Sequence, residues 1–92
     1  MKFKILVIDD EPILRNSLEV ALKVAGHDVL TAPSGEEGVD LFRKESPDLV
    51  LLDHWLPGMN GDVVLRLIRE TDSEALVIIM TAQGSIELAV NS

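Results

Sequence analysis

The sequence predicts an alternating α/β fold built on a parallel sheet, and three observations carry that reading. Short runs of branched apolar residues recur along the chain, Lys4-Ile5-Leu6-Val7-Ile8, Leu49-Val50-Leu51-Leu52 and Ala75 to Met80. The stretches between them place apolar residues at helical spacing. Carboxylates stand where the first two runs end, Asp9 and Asp10 after one and Asp53 after the other. Strands that alternate with helices give βαβ units, right-handed crossovers and one parallel sheet. Such a sheet gathers the residues at its strands' carboxyl ends along one edge, where open α/β folds put their ligand crevice.

Each element has its own signals. Phe3 to Ile8 shows no strict alternation, as expected of a strand buried on both faces. Pro12 suits the first turn of a helix, where a missing N–H costs nothing, and Ile13, Leu14, Leu18, Ala21, Leu22 and Ala25 continue at helical spacing until Gly26 offers a stop. Asp28 to Ala32 reads as a second strand. Ser34 followed by Glu37 is a capping-box pattern opening a helix that carries Val39, Leu41 and Phe42, and Ser46-Pro47 closes it. Leu49 to Asp53 is the third strand, and the segment from His54 to Gly61 is a loop punctuated by Pro57-Gly58 and Asn60-Gly61. Helical spacing resumes from Asp62 to Glu70, and Ala75 to Met80 is the fourth strand. After Thr81-Ala82-Gln83-Gly84, the pattern from Ile86 to Val90 reads as the first turns of a fourth helix.

Composition narrows the function. Ninety-two residues, 47% of them hydrophobic, support one small core, so residues 1–92 are expected to form one domain. Sixteen acidic residues against eight basic ones give a formal charge of -8, which repels a nucleic-acid backbone. The absence of cysteine removes disulfides and thiolate metal sites and fits a reducing compartment. No apolar run approaches the length of a membrane span. The expectation is a soluble, cytoplasmic protein without direct nucleic-acid or membrane contact.

The carboxylates carry the chemistry. Two of them held ~4 Å apart at an effective dielectric near 20 repel by about 4 kcal/mol, so three in one crevice call for a cation. Mg²⁺ prefers hard oxygen ligands, one or two carboxylates completed by water and phosphate oxygens. Asp10, Asp53 and a backbone carbonyl from the following loop can supply the protein's share, with Asp9 acting through water. A free Asp53 oxygen is then a nucleophile toward phosphorus. Thr81, at the end of the fourth strand, offers a hydroxyl to a phosphoryl oxygen and a means of moving the next loop. Plainer roles stand beside these: Asp9 and Asp10 as helix-capping acids, Thr81 as an N-cap, His54 as a structural side chain rather than a metal ligand, His27 as a solvent-facing residue.

The spaced motifs Leu6-Val7-Ile8-Asp9-Asp10-Glu11-Pro12, Ser34-Gly35-Glu36-Glu37-Gly38, Pro47-Asp48-Leu49-Val50-Leu51-Leu52-Asp53, Leu56-Pro57-Gly58-Met59-Asn60-Gly61 and Met80-Thr81-Ala82 resemble, in order and over the whole chain, the receiver domain of two-component response regulators. The run from Thr81 to Val90 looks most like the NtrC-type transcriptional activators. The resemblance implies a flavodoxin-like (CheY-like) fold and phosphotransfer from a sensor histidine kinase to Asp53. It further implies Mg²⁺ held by Asp9, Asp10, Asp53 and the Trp55 backbone carbonyl, Thr81 as the switch hydroxyl, and a C-terminal output domain as partner. Trp55 and Gln83 are implied to flank the phosphoryl group, where a bulky Trp55 would slow the entry of hydrolysing water. A receiver is a switch rather than an enzyme. The alternatives are a Mg²⁺-dependent aspartyl-phosphate phosphohydrolase, which usually has a second acid where Trp55 stands, and an interaction module that is never phosphorylated.

The family's fifth strand, fifth helix, phosphoryl-pairing lysine and aromatic switch residue belong after Val90, so the receiver is expected to be C-terminally incomplete, with strand order 2-1-3-4. Two expectations follow. The fourth strand would be a bare apolar edge prone to self-association, and phosphoryl transfer would be weakened while Mg²⁺ binding survives.

Overall fold

The computed structural model describes residues 1–80 and the strand at 86–89. The elements are β1 (Lys4–Ile8), α1 (Pro12–Val24), β2 (Asp28–Ala32), α2 (Gly35–Glu45), β3 (Leu49–Asp53), α3 (Gly61–Thr71), β4 (Val77–Met80) and β5 (Ile86–Ala89). The sheet runs β2-β1-β3-β4-β5. Its first four strands are mutually parallel in the expected order 2-1-3-4, with Ile8 level with Ala32 and Leu52, and Asp53 level with Met80.

Local chemistry accounts for the boundaries. Pro12 opens α1 behind an extended Glu11, and Gly26 follows its end with a φ of 100°, a conformation that costs glycine little. Ser34 caps α2, its hydroxyl accepting from the Glu37 N–H at 3.2 Å, and Asn60 caps α3 by accepting from the Val63 N–H at 3.1 Å. Each satisfies one of the amide donors a helix start leaves unpaired.

Alternation along the strands sends side chains to two unlike faces. Leu6 and Ile8 of β1, Val50 and Leu52 of β3 and Val77 of β4 join Val39 and Phe42 of α2 and Val64 and Ile68 of α3 in one buried cluster. Ile5 and Val7 are buried on the opposite side, toward α1, which itself contributes no fully buried residue. Gly38 lets α2 lie directly on β1: a Cβ there would fall 2.4 Å from Ile8 Cδ1.

The C-terminal segment departs from expectation. Ile86–Ala89 is not the start of a helix but a strand, antiparallel to β4, with Val77 opposite Ala89 and Met80 opposite Ile86. The physical reason is that one or two helical turns are marginal by themselves, whereas pairing satisfies the backbone groups β4 would otherwise leave open. The short run Ile-Glu-Leu-Ala is compatible with either period. The sheet therefore has five strands, the β4 edge is paired rather than bare, and the ground for expecting self-association through that edge falls away.

Candidate functional site

The ends of β1 and β3 are neighbours in the sheet, so the residues just beyond Ile8 and Leu52 emerge together. Asp9, Asp10 and Asp53 each present a carboxylate oxygen within 4.8 Å of the other two. Sequence placed three acids at strand ends, and adjacency of β1 and β3 turns them into one cluster. Asp9 is buried at 1% exposure, Asp53 is half-buried and Asp10 is exposed, so the cluster grades from core to solvent.

Backbone amides orient the two inner acids. The Glu11 N–H donates to Asp9 Oδ1 at 2.8 Å, and the Trp55 N–H donates to Asp53 Oδ1 at 3.1 Å. Each acid thus shapes the turn that follows its own strand, a use to which Asp is suited because its short side chain reaches the amide two residues on. The strand ends are themselves tied to their neighbours, with the Asp9 N–H donating to the Ala32 carbonyl and the His54 N–H to that of Met80.

Burial raises both carboxyls above their ordinary value of 3.8. For Asp9 the desolvation outweighs the Glu11 amide, and the Asp10 charge adds to the rise while Arg15 opposes it. For Asp53 desolvation again leads and the Trp55 amide opposes it, while the Asp9 charge and a side-chain hydrogen bond with Asp10 raise it further. The inner acids are therefore short of positive charge. A donor set of three clustered hard oxygens, two of them on partly desolvated carboxyls, fits a hydrated divalent cation such as Mg²⁺.

Three further features were not anticipated from sequence. Arg15 Nη1 donates to the Asp9 carbonyl oxygen at 2.9 Å. Gly61 brings the start of α3 against the end of β3, where a Cβ would lie 2.9 Å from His54 Cα and 3.1 Å from the Asp53 carbonyl oxygen. Leu56, within the loop after Asp53, is buried and anchors it to the core. The Asn60-Gly61 dipeptide was legible only as turn chemistry; the close approach needed the fold.

Trp55 remains 64% exposed and meets His54 edge to face with ring centroids 4.7 Å apart. His54 is not part of the acid cluster. His27, expected to face solvent, is half-buried; its Nδ1 accepts from the Phe3 N–H at 3.1 Å, tying the N-terminus to the turn before β2. Thr81 and Gln83 lie outside the described residues.

Comparison with known proteins adds independent findings. The family model described as the response regulator receiver domain matches residues 5–92. The chain is 41% identical over 86 residues to the transcriptional regulatory protein AfsQ1 of Streptomyces coelicolor, covering 94% of this chain and 38% of that protein. It is 38% identical over 92 residues to the sporulation initiation phosphotransferase F of Bacillus subtilis, covering 100% of this chain and 74% of that protein. A receiver domain structure from Clostridium thermocellum superposes with a TM-score of 0.81 at 39% identity, over 85% of this chain and 64% of the other. The chain thus spans well under half of the first of these relatives.

Proposed function

This chain belongs to the response regulator receiver domain family, and from that premise we propose that Asp53 accepts a phosphoryl group from a sensor histidine kinase with Mg²⁺ held by the acid cluster. The single observation that carries the reading is the convergence of three carboxylates within 4.8 Å at the carboxyl edge of a parallel sheet. An Asp53 oxygen attacks the phosphorus of a phosphohistidine; the new P–O bond forms as the P–N bond breaks, leaving an acyl phosphate on Asp53 and a free imidazole on the kinase. Asp9, Asp10, Asp53 and the Trp55 carbonyl would hold the cation, which when bound neutralises charge on the acids and on the transferring oxygens.

The chain's own residues do the rest. The Trp55 amide fixes Oδ1 of Asp53, leaving the second oxygen as the nucleophile. Trp55, exposed beside the acceptor, screens the acyl phosphate from water. Thr81 follows β4, whose last residue Met80 is level with Asp53, and its hydroxyl would bond the phosphoryl group and carry the change into the following loop. No helix among the described residues is long and apolar enough to cross a membrane. The setting proposed for the chain is that of a cytoplasmic switch coupled to an output domain.

Incubation with acetyl phosphate and Mg²⁺, followed by intact-mass spectrometry, tests this. One phosphoryl adduct on the wild type, absent from Asp53→Asn and from Mg²⁺-free samples, is expected. Many phosphoesters turned over per chain would replace this reading with a phosphohydrolase, and no adduct under any condition would leave an unphosphorylated module.

A further inference from the structure

Arg15 stands against the ordinary electrostatics of a helix. It is the fourth residue of α1, close to the end where the macrodipole favours acids and disfavours cations, and the first turn of that helix contains no acid. A local rule broken in this way marks a position where another interaction compensates. Helical side chains lean back toward the N-terminus, and that of Arg15 reaches the end of β1, where Nη1 donates to the Asp9 carbonyl at 2.9 Å. Its charge lowers the Asp9 carboxyl, whereas the charges that chiefly act on Asp53 are both negative, those of Asp9 and Asp10. Other basic side chains are committed elsewhere: Lys4 to Glu45, Lys23 to Glu19 and Arg66 to Glu70.

We propose that Arg15 is a built-in counter-charge for the acid cluster: it offsets the repulsion among Asp9, Asp10 and Asp53 while no divalent cation is bound, and competes with the cation when one binds. It is a positioning residue that acts through Asp9, fixing the carbonyl at the β1–α1 turn. The consequence is a site kept assembled when empty and held to a weaker cation affinity than three carboxylates would otherwise have. This inference rests on the cation-site reading above.

Two variants test it in the full chain. Arg15→Gln keeps an amide donor and removes the charge; Arg15→Lys keeps the charge. Mg²⁺ titration followed by Trp55 fluorescence is expected to show Arg15→Gln binding about threefold to tenfold more tightly than wild type at low ionic strength, the gap narrowing with added salt. Melting in chelator is expected to show Arg15→Gln less stable than wild type at low salt, with the loss shrinking as salt rises. Arg15→Lys should track wild type in both measurements. Unchanged or weaker Mg²⁺ binding by Arg15→Gln would overturn the inference, as would a salt-independent loss of stability or a variant more stable than wild type, the result the helix dipole alone would give. If the wild type binds no Mg²⁺, the cation-site reading fails. The melting series then decides Arg15 alone: a salt-dependent loss restored by lysine supports the counter-charge and its absence refutes it.

Discussion

Replacing Asp53 with asparagine should stabilise the protein when no divalent cation is present, although it removes the group on which the proposed function depends. At 4.8 Å, the outer limit of the separations within the cluster, two charges repel by about 0.9 kcal/mol at the dielectric of water and about 3.5 kcal/mol at an effective dielectric near 20. Asp53 takes part in two such pairs. The pair with exposed Asp10 lies near the lower figure, and the half-exposure of Asp53 itself discounts the pair with buried Asp9. A gain of about 1–3 kcal/mol is expected at neutral pH, because asparagine can still accept the Trp55 amide while losing the charge. For a domain of this size each kcal/mol moves the melting temperature by about 4–8 °C, so a rise of at least ~4 °C should appear in chelator at low salt.

The sign of the pH dependence follows from the raised carboxyls. Because Asp9 and Asp53 titrate above 3.8 in the folded chain, the folded state holds more protons than the unfolded one between about that pH and the raised folded values, and stability falls as pH rises across that window. The advantage of Asp53→Asn should therefore be full at neutral pH and vanish below 3.8. Mg²⁺ should stabilise wild type and leave the variant nearly unmoved. Urea denaturation at pH 7 and pH 3.5, with and without Mg²⁺, measures all of this. A variant no more stable than wild type at pH 7 without Mg²⁺ would refute the reasoning, since the three charges would then not be in conflict.

Further outcomes are expected elsewhere. Gly61→Ala should cost about 1–3 kcal/mol in urea denaturation, because the added methyl meets His54 and Asp53 backbone rather than a side chain able to turn away. Asn60→Ala should cost about 1 kcal/mol by removing the cap on the Val63 amide. Leu52→Ala, at a fully buried central position, should cost about 2–5 kcal/mol against a total of roughly 5–14 kcal/mol for a chain of this length, visible as a large drop in thermal midpoint.

Much of the fold was legible because its signals are local. The Ser34 cap, Pro12 at the start of α1, Gly26 after it and the apolar runs of the parallel strands act through near neighbours, and their boundaries fall within a residue or two of expectation. The segment Ile86–Ala89 was not legible, since four residues fit either period and the competitor for them was the open side of β4, more than five residues away in sequence. The hydrogen bond from Phe3 to His27 was hidden for the same reason: it joins residues 24 apart.

By itself the sequence determined the identity of the acids, their place at strand ends and the parallel alternation that makes such ends meet, because periodicity and turn chemistry are written residue by residue. Tertiary structure alone decided that Asp9 would be buried, Asp10 exposed and Asp53 between them, and that Arg15 would turn back onto the Asp9 carbonyl. Desolvation and charge interaction depend on what surrounds a group in space, and that environment exists only once distant strands have packed.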